Sequence, residues 1–223
     1  MAEPLVKAAA LARVYQRGAV SVTALAPVSF RIERGDRVGL IGPSGSGKTT
    51  LLNLVAGLDQ PSSGWIAWPA LGESAVPRPR SIGAAFQSRS LIPTLSCGEN
   101  VELPLALLDE AADAPRRALE ALEAFGVADL ADKLPGEVSG GQAQRVALAR
   151  AIITGPSLLL ADEPTGQLDS LSGASTLDSL GDWLDRTGAA LLLATHDPTA
   201  SGRMKAIWRL DHGVVQIAKR KTS

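Results

Sequence analysis

Gly42-Pro43-Ser44-Gly45-Ser46-Gly47-Lys48-Thr49 is a G-x-x-x-x-G-K-[ST] loop, in which glycines let backbone N–H groups converge on phosphate oxygens. Residues 37–41 before it read as a strand and 49–57 after it as a helix, the context this loop requires. The helix then points its positive end at the bound anion. Lys48 can reach the β- and γ-phosphates of a nucleotide, and the Thr49 hydroxyl can ligate Mg²⁺. Alone, the loop does not choose between a kinase, a GTPase and a transport ATPase.

Leu158-Leu159-Leu160-Ala161-Asp162-Glu163 reads as a buried strand delivering two carboxylates at its C-terminal edge, where α/β proteins bind ligands. With the phosphate loop present, Asp162 suits Mg²⁺, directly or through water, and Glu163 is placed to polarise an attacking water. Val138-Ser139-Gly140-Gly141-Gln142-Ala143-Gln144-Arg145 opens a further helix. Amides exposed behind two glycines form a second anion site at a helix N-terminus; the plainer reading is an N-cap serine followed by flexible glycines. Two phosphate elements in one short chain fit a dimer in which each protomer's second site closes on the other's nucleotide.

The elements that must hold these residues alternate in type. Residues 20–25, 28–32 and 37–41 read as strands, separated by Pro27 and by Gly35-Asp36. The stretch 91–138 is richer in helical signals. Within it, 114–125 carries Leu119, Leu122 and Phe125 on one face, with Pro115 in a first turn. Residues 157–162 and 189–195 are continuously apolar, as strands buried on both faces are. Helices fall at 142–153, ending at Gly155-Pro156, and at 173–186, with Leu177, Leu180, Trp183 and Leu184 on one stripe. The pattern predicts an α/β fold whose nucleotide-binding core has a mostly parallel sheet, interrupted by a helical insert.

Composition narrows the setting. The chain has 223 residues, 22 Lys+Arg against 23 Asp+Glu, and a net charge of −1. That balance argues against nucleic acid as a partner held through phosphate contacts. The single cysteine, Cys97, cannot form an internal disulfide or a zinc cluster. No apolar run approaches the roughly 20 residues that span a bilayer. Glu3, Pro4 and Arg13 spoil a signal peptide. Composition therefore predicts a cytoplasmic chain, and any membrane role must pass through a partner.

Stretch 138–145 resembles the signature sequence of ATP-binding cassette (ABC) ATPases, with Val138 where leucine is usual. The resemblance runs over almost the whole chain, its motifs in the family's order. Phe86-Gln87 is similar to the Q-loop, which implies that Gln87 contacts Mg²⁺ or the attacking water. Gln167-Leu168-Asp169 resembles the D-loop, so Asp169 would cross the dimer interface. Thr195-His196-Asp197 resembles the switch region, so His196 would hydrogen-bond the γ-phosphate. Tyr15 sits where the family stacks an aromatic ring on adenine. The implied ATP contacts are Tyr15, residues 42–49 with Thr50, and, from the other protomer, Ser139, Gly140, Gly141, Gln142 and Asp169. Thr49, Gln87 and Asp162 would hold Mg²⁺, and Lys48, Gln87, Glu163 and His196 would serve hydrolysis. The family's layout divides the chain into a nucleotide-binding core with an N-terminal antiparallel β-subdomain (1–90 and 139–223) and an inserted α-helical subdomain (91–138).

Within the family, residues 42–64 (GPSGSGKTTLLNLVAGLDQPSSG) and 91–105 (LIPTLSCGENVELPL) most resemble the ATPases of lipoprotein-releasing, macrolide-exporting and cell-division-type complexes. These pair as homodimers with a transmembrane permease and act as mechanical transmitters, which implies a peripheral position on the inner face of the cell membrane. Segment 65–85 is shorter than usual, and Pro69, Pro77 and Pro79 make it less strand-like. Three rivals stand beside this reading. A kinase or GTPase lacks a use for 138–142, and no N-K-x-D guanine-reading sequence is present. A cassette serving DNA repair or ribosomes is expected to be longer. An ATPase that gates an extracytoplasmic process such as cell-wall hydrolysis, moving no cargo, stays open.

Overall fold

The computed structural model describes residues 3–18, 20–71, 80–86 and 91–217. In chain order the elements are β1 (Val6–Arg17), β2 (Val20–Ile32), β3 (Arg37–Ile41), α1 (Lys48–Val55), β4 (Ser63–Ala67), β5 (Ile82–Ala85), α2 (Cys97–Ala106), α3 (Ala114–Ala124), α4 (Gly140–Ile152), β6 (Leu158–Asp162), α5 (Ser170–Thr187), β7 (Ala190–Thr195), α6 (Pro198–Gly202), β8 (Ala206–Asp211) and β9 (Val214–Ile217). They form two units, residues 1–78 with 190–223 and residues 79–189.

In the first unit, β1 lies between β2 and β4 in a three-stranded antiparallel sheet. β2 is one strand of 13 residues that runs through Pro27, where the sequence suggested a break. Arg13 pairs with Leu25 and Leu11 with Val28, so three steps of β2 face two of β1 and Ala26-Pro27 form a bulge. A proline's missing N–H is harmless there, because β2 is an edge strand of this sheet. The parallel part places β3 between β7 and β8, and β9 extends it antiparallel to β8. Leu5, Leu11, Leu25, Ile32, Leu40 and the α1 residues Leu51, Leu52 and Leu54 are fully buried. Phe30 meets Trp208 in a tilted ring pair at 5.0 Å, and Trp68 donates to the Val55 carbonyl at 2.9 Å.

In the second unit, β5 pairs in parallel with β6, Ile82 opposite Leu158. Segment 65–85, expected to be less strand-like, ends in strand on both sides: β4 closes at Ala67 and β5 opens at Ile82. Pro69 begins a short 3-10 turn between them, while Pro77 and Pro79 lie outside the described residues. Helix α3 starts with proline in its first turn, as expected. Its buried stripe is Ala114, Ala118, Ala121, Leu122 and Phe125, and Leu119 is left 46% exposed. Alanines at helical spacing (i, i+4, i+7) carry that face, and Leu119 falls one position beside it. In α5, Leu177, Leu180, Trp183 and Leu184 are buried as their spacing predicts. Among the described residues no helix is long and apolar enough to cross a membrane.

Candidate functional site

The loop between β3 and α1 is shaped by contacts that tolerate only glycine. A Cβ on Gly42 would lie 2.0 Å from the Leu210 carbonyl oxygen, and one on Gly47 would lie 2.2 Å from that of Ala24. Gly47 also holds φ at +107°, outside the range of ordinary side chains. The loop is pinned from behind, since the Gly213 amide donates to the Ser46 carbonyl at 3.0 Å. Lys48 folds back over it: Nζ donates to the Gly42 and Pro43 carbonyls at 2.8 and 3.0 Å. An ammonium has three donors, so two anchor the side chain and one is left for a ligand. Ser46 Oγ is buried with no protein partner. No side chain caps the N-terminus of α1, and its first turn has no acidic residue. Open amides, a held ammonium and an orphaned hydroxyl suit a phosphate-bearing ligand.

Two other expected residues lie near this loop in the same unit. β7 and β3 pair with Thr195 opposite Ile41, so His196 and Gly42 leave the sheet together at one edge. His196 is exposed, and Asp197 beside it caps α6 by accepting from the Thr199 amide at 2.7 Å. Tyr15 pairs across to Val22 of β2, two residues from the Ala24 carbonyl that abuts Gly47. Its hydroxyl donates to Asp59 Oδ2 at 2.7 Å. Arg13 grips the same carboxylate with Nε at 3.0 Å and Nη2 at 2.8 Å, and its guanidinium lies 4.5 Å from the Tyr15 ring centre. Burial pushes the Asp59 carboxyl up, but the Tyr15 hydroxyl, the Gln60 amide and Arg13 together hold it below its ordinary value. The pairing of Arg13 with Asp59 was not read from sequence: 46 residues separate them, and no local pattern links them.

In the second unit, β6 is buried along its length and delivers Asp162 and Glu163, 5% and 6% exposed. Glu163 adopts φ +51°, left-handed backbone that costs an ordinary residue about 1–2 kcal/mol. Its carbonyl accepts from the Gly166 amide at 3.1 Å and from Gln144 Nε2. Ser139 caps α4 through a reciprocal box: its hydroxyl accepts from the Gln142 amide at 3.2 Å, and the Gln142 side chain accepts from the Ser139 amide at 2.9 Å. Ser139 and Gly140 remain exposed. A Cβ on Gly140 would fall 2.3 Å from Gln167 Oε1, and one on Gly141 2.5 Å from Leu168 Cδ2. These glycines therefore let α4 approach the turn after Glu163. Asp169 caps its own helix, α5, accepting from the Leu171 and Ser172 amides at 3.1 and 3.0 Å. Bonds from Ser172, side chain and backbone, hold its carboxyl below the ordinary value. Gln87 lies outside the described residues. Phe86 beside it lines a cavity of about 660 Å³ with Leu91, Pro93, Val138, Gln144 and Gln167.

Residues 25–166 match the ABC transporter family model. The chain is 39% identical over 219 residues, 95% of its length and 92% of the relative's, to the lipoprotein-releasing system ATP-binding protein LolD of Chromohalobacter salexigens. It is 39% identical over its whole length to the macrolide export ATP-binding/permease protein MacB of Rhodopseudomonas palustris, of which it spans 35%. Among solved structures it is similar to a dimeric post-hydrolysis state of the ATP-binding cassette MJ0796 bound to ADP and Pi, with a TM-score of 0.90 and 33% identity over 98% of this chain and 100% of that one. With its phosphate loop, acidic strand end and capped glycine turn in the order expected, the chain belongs to the ABC transporter family and is one of its ATP-hydrolysing cassettes.

Proposed function

We propose that two copies of the chain enclose two ATP molecules and drive a separate permease of the lipoprotein-release or efflux type. Residues 42–50 hold the phosphates through backbone amides and Lys48, and Tyr15 stacks on adenine. Glu163 aligns or deprotonates the attacking water, and His196 hydrogen-bonds the γ-phosphate. Ser139, Gly140, Gly141 and Gln142 of one protomer, with Asp169, close on the ATP of the other. The donor set fits Mg²⁺: the Thr49 hydroxyl, the Asp162 carboxylate and the Gln87 amide are hard oxygen ligands, and this ion takes few protein ligands beside phosphate oxygens and water. When bound it neutralises charge on the phosphates. The family layout of a core (1–90 and 139–223) with a helical insert (91–138) is part of the same proposal.

The observation that carries the permease assignment is 39% identity, over 95% of the chain, with a lipoprotein-releasing system ATP-binding protein. The cavity bordered by Phe86, Leu91 and Pro93 is the proposed seat of the permease, which would hold the cassette at the inner face of the cell membrane. Affinity-tagged chain purified from its own cells in mild detergent should carry a multi-span membrane protein in stoichiometric amount. Recovery with ribosomes or DNA and no membrane protein would reject the assignment.

A further inference from the structure

Among the described residues, four besides glycine have positive φ: Ala10, Asp109, Glu163 and His212. Ala10, Asp109 and His212 are exposed; Glu163 alone of the four is buried. A buried left-handed glutamate persists only where its surroundings over-determine the backbone. The surroundings here are specific. The Glu163 carbonyl takes the Gly166 amide at 3.1 Å and the side-chain amide of Gln144. The other end of that side chain, Oε1, accepts the Gln167 amide at 3.2 Å. One primary amide thus bridges the first and fifth residues of the turn 163–167, donating at one end and accepting at the other. A primary amide offers both functions, donor at one end and acceptor at the other.

We propose that Gln144 is a positioning residue: it holds Glu163 in its left-handed conformation and ties the aim of that carboxylate to the first turns of α4. Gln144 lies two residues beyond Gln142, on the helix that Ser139 caps. Gly140 and Gly141 leave room for Gln167 and Leu168 against that helix, so the glycines and Gln144 meet the same turn. A ligand that fixes the N-terminus of α4 therefore fixes the backbone of Glu163 in the same chain. In the dimer proposed above, ATP held by the partner would meet the exposed Ser139–Gly140 end. The geometry then gives a route by which occupancy of one site readies the carboxylate of the other. This inference rests on Glu163 being the water-directing carboxylate.

The test uses the purified full chain, measuring steady-state ATP turnover, equilibrium binding of a fluorescent ATP analogue, and hydrogen exchange by mass spectrometry. Gln144→Leu removes both bonds; Gln144→Glu keeps the shape and the acceptor but loses the donor. Both variants should lose about ten- to hundredfold in kcat, as expected for a misaimed reacting group, while analogue affinity changes less than about threefold. Peptides covering 163–167 should exchange faster, and those covering α1 should not. Wild-type kcat in either variant, alongside an inactive Glu163→Gln control, would overturn the role of Gln144 and leave that of Glu163 standing. A fully active Glu163→Gln would overturn the underlying reading instead. Loss of the thermal unfolding transition in both Gln144 variants would mark the residue as structural and also overturn the proposal.

Discussion

Lys48, Ser46 and Glu163 are the single residues on which the proposed phosphate chemistry depends. Lys48 is held on two carbonyls, which restricts its side chain and lowers the entropy it can lose on binding. These residues were readable because the loop and the acidic strand end are contiguous motifs. The clamp on Tyr15 was not, since Arg13, Tyr15 and Asp59 meet only once β1 and the segment after α1 are in place. Its electrostatics make a prediction. The Asp59 carboxyl sits below its ordinary value in the folded chain. Its stabilising contribution is therefore complete above about pH 5 and is lost as pH falls through the ordinary carboxylate range toward the folded value. Wild type should exceed Asp59→Asn in Tm at pH 7, and the gap should narrow by pH 3. A gap independent of pH would mean that the carboxylate's charge does not contribute.

Elements with a strong period or an apolar run were legible: α5, β6 and β7 fall within a few residues of their expected bounds. β1 was hidden because Val6–Arg17 is rich in alanine, and its strand character comes from pairing with neighbours on both sides. β8 and β9 were also missed, although their turn at His212-Gly213, with both φ values positive, is a recognisable hairpin signal. The opening of α2 depends on a residue that sequence left without a structural role. Asn100 is fully buried; it accepts the Ile92 amide at 2.7 Å and donates to the carbonyls of Ile92, Leu95 and Ser96. It ties residues 92–96 to the helix. Asn100→Leu would strand these buried groups and should lower unfolding free energy by about 1–3 kcal/mol, measurable by urea denaturation. An unchanged midpoint and slope would show that water replaces the amide without cost.

At the scale of the whole molecule, the proposed functional residues lie in two structural units and at three helix N-termini, those of α1, α4 and α5, a division that the proposed dimer would use. Motif order along the chain was enough to suggest it, because each motif is local. What sequence could not show is how each motif is braced: the closeness that demands Gly42 and Gly47, and the Gln144 bridge. These depend on contacts between segments distant in sequence; the caps that hold Ser139 and Asp169 are local, and the Ser139 cap was readable. In the proposed mechanism two chains close on ATP and Glu163 drives hydrolysis. Light scattering of Glu163→Gln with ATP and Mg²⁺ tests it most directly, with turnover measured on the same sample. Loss of a general base costs about 10²–10⁴ in rate. The proposed mechanism gives the mass of two chains with ATP, the mass of one chain with ADP, and turnover reduced at least about 100-fold. A single-chain mass with ATP bound, or turnover equal to wild type, would contradict it.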